Sequence, residues 1–313
     1  MSLSALIAAL LLEQLKPLAE RKYLQGWLTG YVAYFQHHFN SGEYHHGRTA
    51  WWLAVLPVLA GAVLLFRGLH YLHPLLAWAF NVLALYLSMG FRRDSQLFTA
   101  IQQALQSAKL VEAREFLSTL RGRKSDELNA DEIVRLTVEA ALMAVLHHLF
   151  GVVVWFVLFS LAGFGGAAGA LFYCLGLAMS THDELDVGES GEAAPDDFAR
   201  KMCSRLTWLP NRLTAATFAV VGNFEDTVYC WRSQAANWQD SEEGILLASA
   251  AGASGVRLGL SVMQHGVRLD RPELGVGDKS GDAALYCTSR LVWRSAVFML
   301  VMLFMLTLAG LLR

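Results

Sequence analysis

Long uncharged apolar windows alternate with polar stretches along this chain. A helix needs about 20 apolar residues to cross a bilayer core of roughly 30 Å. Four windows meet or approach that length: Trp51–Phe66, Tyr71–Phe91, Val138–Met179 and Trp293–Leu312. Val138–Met179 is long enough for two passes, with a break expected in the glycine-rich run from Gly163 to Gly169. One crossing and two both remain open. Leu3–Leu12 is too short to span alone. It lacks a basic segment before it and an A-x-A cleavage site, so it does not read as a signal peptide.

Between the windows the period is helical. Leu97, Ile101 and Leu105 place one apolar stripe along Arg92–Lys109, and Val111–Arg121 continues it until Gly122. Asn129 followed by Glu132 has the spacing of a capping box. Glu132, Arg135 and Glu139 are spaced to form a charge ladder on one side of the next helix. Asp183–Asp197 is acidic and reads as a loop. Phe198–Trp238 reads as helix broken at Pro210 and at Gly222-Asn223. Gly244–Leu260 is rich in small residues, suited to close helix packing or to a backbone that meets a ligand. Gln264–Gly281 reads as a loop. The pattern predicts an all-α, polytopic helical membrane protein with amphipathic cytoplasmic helices over 92–137, as a single membrane domain over 1–313.

Composition agrees. Mean hydropathy is +0.37, and 17% of the 313 residues are charged, against about 25% in soluble domains. A net charge of −2 and the lack of a basic stripe with aromatics argue against nucleic acid. The four cysteines have no zinc-type spacing and read as reduced structural thiols. Lys and Arg cluster between Arg92 and Arg135, which places that segment on the cytoplasmic side of a bacterial-type inner membrane.

Several polar groups are candidates for chemistry. Arg123 and Lys124 precede a helix start, where an anionic phosphate is held readily; a solvated turn facing lipid headgroups is the alternative. Glu139, inside an apolar span, is the candidate acid/base or cation ligand, or it pairs with Arg135. Arg212 follows Pro210 and reads either as a ligand contact or as a snorkelling side chain. Arg257 stands among small residues, where tight packing is the alternative. His147 and His148 are adjacent, so they point about 100° apart and suit a shared metal poorly. His37-His38 and His45-His46 read as interfacial histidines. No metal site is expected.

In order along the chain come Phe116-Leu-Ser-x-Leu-x-Gly122-Arg123, then Leu128-x-x-x-Glu132-Ile-Val-Arg135-x-x-Val138-Glu139, then Gly169-Ala-Leu-x-Tyr173. Leu209-Pro-x-Arg212-Leu-Thr and Gly252-Ala-x-Gly255-Val-Arg257-Leu-Gly259 follow. This ordered set, from about Arg92 to Leu260, resembles the CobD/CbiB family of inner-membrane proteins and is similar to the related AmpE family. The resemblance implies cobalamin biosynthesis, in which aminopropanol or its phosphate is joined to a side-chain carboxyl of cobyric acid through an amide. It implies site roles for Arg123, Glu139, Arg212 and Arg257, with Arg135 a further phosphate candidate. A divalent metal and a nucleotide follow only if that synthase activity holds.

The chain also departs from the family pattern. Lys124-Ser125 stand where the family has Asp-Thr. Met143, Ala144 and His147 stand where it has Glu, Asn and Asp. Its polar residues around Leu175–Met179 and Trp238–Glu243 are missing, and Glu13-Gln-Leu-Lys16-Pro17 is closer to AmpE. The departures favour a diverged, non-catalytic membrane sensor or interaction protein of the AmpE kind, with the synthase as the alternative. Enzyme and non-enzyme both stay open, and a transporter is third. The partners expected are the lipid bilayer, a corrinoid or other amphiphilic small molecule, and a protein partner.

Overall fold

The computed structural model describes residues 2–15, 30–35, 44–122, 125, 128–186, 197–264, 267–278 and 281–311. Their regular structure is helical apart from two short β-ribbons. Among them, four helical stretches are long and apolar enough to cross a membrane: Gly47–Leu72, Pro74–Gln106, Ala130–Leu161 and Gly281–Ala309. The chain is a multi-pass membrane protein. Its contacts fall into two compact units, Met1–Gly90 with His147–Pro210, and Phe91–Leu146 with Asn211–Arg313.

The first unit contains α1 (Ser2–Leu15), α2 (Tyr44–Leu72) and α3 (Pro74–Ser88). The turn after α2 is set by His73 and Pro74. The His73 ring accepts the N–H of Leu75 as an N-cap, and proline occupies the first helical position, where no N–H is needed. Tyr71 and Leu72 therefore end α2 and do not open the next span. Trp51 is fully buried, edge-on to Phe172 and Phe198. Leu53, Leu56, Leu64 and Leu65 point outward, as a lipid-facing helix requires.

The long apolar window resolves into two antiparallel helices. After a π-turn at Leu146–Phe150, α7 (Gly151–Leu161) ends at a turn where Gly163 and Gly165 take left-handed φ values of 78° and 90°. The chain reverses into α8 (Gly166–Asp186). Gly169 lies so close to the carbonyl of Trp155 that any Cβ would collide with it, and Gly151 meets Tyr173 in the same way. The first turn of α8 is tied down by Asn81, whose Oδ1 accepts the N–H of Ala167 at 2.9 Å.

Pro210 does not break its helix, contrary to the sequence reading. The helix α9 runs from Asp197 to Val221 through it. A proline removes the N–H that would bond the carbonyl four residues earlier. Here that carbonyl belongs to Leu206, and the indole Nε1 of Trp155 donates to it at 3.0 Å. The lost backbone bond is thus replaced by a side chain.

The second unit opens with α4 (Phe91–Gln106) and α5 (Leu110–Arg121), which ends at Gly122 as expected, with Gly122 in the left-handed region. Ile101, Leu117, Leu128, Ile133, Leu136 and Val262 make its buried core. The capping box at the start of α6 (Ala130–Val145) forms as expected, with Asn129 and Glu132 exchanging hydrogen bonds of 2.9 Å. The break at Gly222-Asn223 also forms, and Asn223 caps α10 (Phe224–Ser233). Helix α11 (Ser241–Ser254) is buried nearly throughout and crosses α10 where Gly252 meets the Asp226 carbonyl.

The segment expected as a loop after Gln264 is partly paired. β1 (Leu258–Gly259) pairs antiparallel with β4 (Glu273–Leu274), and β2 (Val262–Gln264) with β3 (Val267–Leu269). Strands of two or three residues are too short to show an alternating pattern. The last helix, α12 (Gly281–Leu311), starts well before Trp293. Of the loop expected over Asp183–Asp197, the first residues continue α8 and 187–196 lie outside the described residues.

Replacing Trp155 by Phe keeps an aromatic side chain and deletes the donor. Leaving the Leu206 carbonyl unsatisfied is expected to cost about 1–3 kcal/mol, read as a lower midpoint in thermal or denaturant unfolding of the detergent-solubilised protein.

Candidate functional site

Glu139 is a buried carboxylate on α6, and both of its oxygens accept hydrogen bonds. Arg271 approaches from the segment between the ribbons, with Nη1 at 2.8 Å from Oε2 and Nη2 at 3.2 Å from Oε1. The backbone N–H of Gly259 donates to Oε1 at 3.0 Å. The same guanidinium also donates to the carbonyls of Leu260 and Gly259 and lies over the ring of Trp238. Gly259 and Leu260 both have positive φ, 74° and 61°. For leucine this conformation is strained, and the Glu139–Arg271 pair grips the turn that contains it.

The expected ladder along α6 does not form. Glu139 pairs with Arg271 and not with Arg135. Glu132 is spent on the capping box and on the N–H of Met263, at 3.2 Å. Long-range partners displaced the local ones because the ribbon segment brings its donors directly onto this helix face.

One face of α6 borders a cavity of about 240 Å³. Asp131, Val134, Arg135 and Val138 contribute from α6. Val256, Arg257 and Leu260 contribute from the segment after α11, and Asp278, Gly281 and Ala284 from the start of α12. Arg257 pairs with Asp278 at 2.6 Å and with Glu273 at 3.4 Å, and donates to the Gly277 carbonyl. Arg135 has no ion pair among the described residues. Its Nη2 reaches only the Ser261 carbonyl at 3.4 Å, and its buried Nε has no partner.

The structure thus brings Arg135 and Arg257 to one cavity and sets Glu139 in the clamp next to it. Arg212 is engaged elsewhere, by Glu242 at 2.8 Å, with Asn211 on the same carboxylate. Arg123 and Lys124 lie outside the described residues, as do His37 and His38. Of His45 and His46 only the backbone is described. The sequence reading missed Arg271, Asp131 and Asp278. One signal pointed to Arg271: a carboxylate inside an apolar helix needs a cation, and an arginine in a polar loop can supply one.

The CobD/CbiB protein family model matches residues 6–292. The chain is 32% identical over 277 residues to a protein of Stutzerimonas stutzeri named cobalamin biosynthesis protein CobD, covering 86% of each. It is 29% identical over 257 residues to the Klebsiella pneumoniae protein of the same name, covering 77% of this chain and 76% of that one. It is 27% identical over 250 residues to cobalamin biosynthesis protein CbiB of Salmonella typhimurium, covering 74% and 72%. No solved structure matches.

These matches overturn the expectation of a non-catalytic sensor or interaction protein. All three relatives carry a biosynthetic name, and none carries an AmpE or signalling one. The expectation rested partly on Met143 and Ala144, where the family pattern has polar residues. Both lie further along α6 than Val138 and outside the cavity lining.

Breaking the clamp strands a buried charge. Arg271→Met leaves Glu139 unpaired at 10% side-chain exposure and is expected to destabilise by about 3–5 kcal/mol. The double variant Glu139→Leu with Arg271→Met is expected to recover part of that loss, measured as a double-mutant cycle of unfolding midpoints.

Proposed function

The chain belongs to the CobD/CbiB protein family, and from that premise we propose that it acts in cobalamin biosynthesis at the membrane. The reaction is formation of an amide between the amine of aminopropanol, or of its phosphate, and a side-chain carboxyl of cobyric acid. The observation that carries this reading is the biosynthetic name of a relative 32% identical over 86% of both chains.

The chemistry sets requirements. An amine and a carboxylate condense to an amide with loss of water, and the carboxylate must first be activated. In the family reading a nucleoside triphosphate with its divalent metal supplies that activation. Among the described residues, no group of three or more His, Cys, Asp or Glu side chains is placed to hold a metal. Both oxygens of Glu139 are taken by Arg271 and Gly259. The part proposed for the described residues is to bind and orient the substrates.

The cavity suits such a part. Its lining mixes two guanidiniums and two carboxylates with apolar walls. It lies at the first turns of two membrane-length helices, Ala130–Leu161 and Gly281–Ala309. A small polar substrate and an amphiphilic corrinoid can meet at such a membrane boundary. Arg135 and Arg257 are the residues proposed to contact substrate. The basic segment 92–137 is proposed to face the cytoplasm from an inner membrane.

Expression in a bacterial strain lacking its own CobD/CbiB protein, grown on cobyric acid, tests the reading. Growth is expected to return with this chain and to fall sharply with Arg135→Ala at equal membrane levels. Failure of the well-expressed wild-type chain to restore growth counts against the proposal.

A further inference from the structure

We infer that the outward face of α12 around Arg290 and Arg294 binds the headgroups of acidic phospholipids at the membrane boundary. None of the residues of this face lines the cavity, and the site does not depend on the proposed reaction.

Helix α12 has 31 residues. At about 1.5 Å per residue it is about 46 Å long, against roughly 30 Å for a hydrocarbon core and roughly 40–45 Å with the headgroup layers. Ser295–Leu311 carries no charge and accounts for about 26 Å of that length. This stretch fills the core, and the hydrocarbon boundary then falls at Arg294. The turns before it lie at headgroup depth.

Those turns have two faces. Ala284, Leu285, Thr288, Leu291, Val292 and Ser295 are buried on one side. On the other, Tyr286, Arg290, Trp293 and Arg294 are exposed, within an arc of about 100°. Val297 and Val301 continue this face into the core. The Arg290 guanidinium lies over the Tyr286 ring, 5.8 Å from its centroid. Trp293 meets Phe91 edge-on at 6.0 Å. Phe91 closes the apolar window that begins at Tyr71, and Arg92 and Arg93 follow it. A second arginine pair therefore starts at the same level. Asp94 is next in sequence and offsets part of that pair, so Arg290 and Arg294 carry the larger share. Tyrosine and tryptophan are enriched at membrane–water interfaces, where their amphipathic rings sit at headgroup level.

Charge decides what covers this face. Neither Arg290 nor Arg294 has an ion pair among the described residues. The one acid in the α12 sequence is Asp282, eight residues before Arg290 and about 12 Å away along the axis. An arginine facing hydrocarbon is costly, and its long side chain reaches back to the headgroup layer. There its fork of donors matches phosphate oxygens. A second copy of the chain packed here about a two-fold axis would set these arginines against their own copies, and like charges repel. An acidic phospholipid supplies the missing negative charge, whereas a zwitterionic one brings its own cation.

The test is native mass spectrometry of the full chain released from a neutral detergent, titrated with phosphatidylglycerol or with phosphatidylcholine. The wild-type chain is expected to retain phosphatidylglycerol in preference to phosphatidylcholine. Arg290→Gln combined with Arg294→Gln is expected to weaken phosphatidylglycerol binding roughly tenfold to thirtyfold and to leave phosphatidylcholine binding unchanged. Arg290→Lys combined with Arg294→Lys, which keeps the charge and loses the fork, is expected to lose less. Arg232→Gln, at an exposed cation on α10, is expected to have no effect. Matching circular dichroism shows that each variant is folded.

The same spectra report the oligomeric state. A wild-type dimer that disappears in the Arg290→Gln, Arg294→Gln double variant gives the face to a second copy and overturns the lipid site. Equal retention of the two lipids by the wild-type chain overturns it as well, as does equal phosphatidylglycerol binding by wild type and that double variant.

Discussion

The second unit depends on one ion pair. Glu139 is buried on α6, where an ionised carboxylate without a partner is costly. Arg271 arrives from a segment with almost no regular structure of its own. The pair serves both. The carboxylate gains a bidentate partner and a backbone N–H, and the ribbon segment gains an anchor to a long helix. The turn at Gly259 and the strained Leu260 is held from both sides, because Glu139 takes the Gly259 N–H and Arg271 takes both carbonyls. Leu260 then stands in the wall of the cavity. The shape of that wall is therefore a consequence of a charge pair that does not itself line it.

The first unit shows the same accounting for backbone groups. Water is scarce around helices that cross a bilayer, so each freed donor or acceptor needs a protein partner. The carbonyl of Leu206, orphaned by Pro210, takes the indole of Trp155. The N–H of Ala167, at a helix start, takes the amide oxygen of Asn81. The glycines at 151 and 169 let the paired helices approach until side chain or backbone on one touches the other. Polar side chains in this unit thus act as substitutes for missing backbone bonds.

What was legible in the sequence follows from range. Local signals came through: the capping box at Asn129 and Glu132, the helix end at Gly122, the break at Gly222-Asn223 and the apolar windows themselves. Each is decided within a few residues. The errors have a common cause. Pro210 reads as a breaker until a tryptophan 55 positions away in sequence supplies the missing donor. The ladder of Glu132, Arg135 and Glu139 reads as local until Met263 and Arg271 outcompete it. The ribbons are too short to write a period of two. Of the candidate site, Arg135 and Arg257 could be named from sequence; Arg271 carried only the general signal that a carboxylate inside an apolar helix needs a cation, and Asp131 and Asp278 carried none.

The same distinction between local and distant bears on function. Reading lost chemistry from Met143 and Ala144 assumes that the reacting groups sit deep along α6. The cavity lies instead at its first two turns, between Asp131 and Val138. Position along a membrane helix matters energetically. Near its start, backbone N–H groups are free and the dipole is positive, so arginine and an anion can pair there without entering hydrocarbon. Deeper in, the same charges need a dedicated partner, which is what Arg271 provides for Glu139. A binding site for a charged ligand is therefore expected where α6 and α12 begin, and that is where the unpaired guanidinium of Arg135 is found.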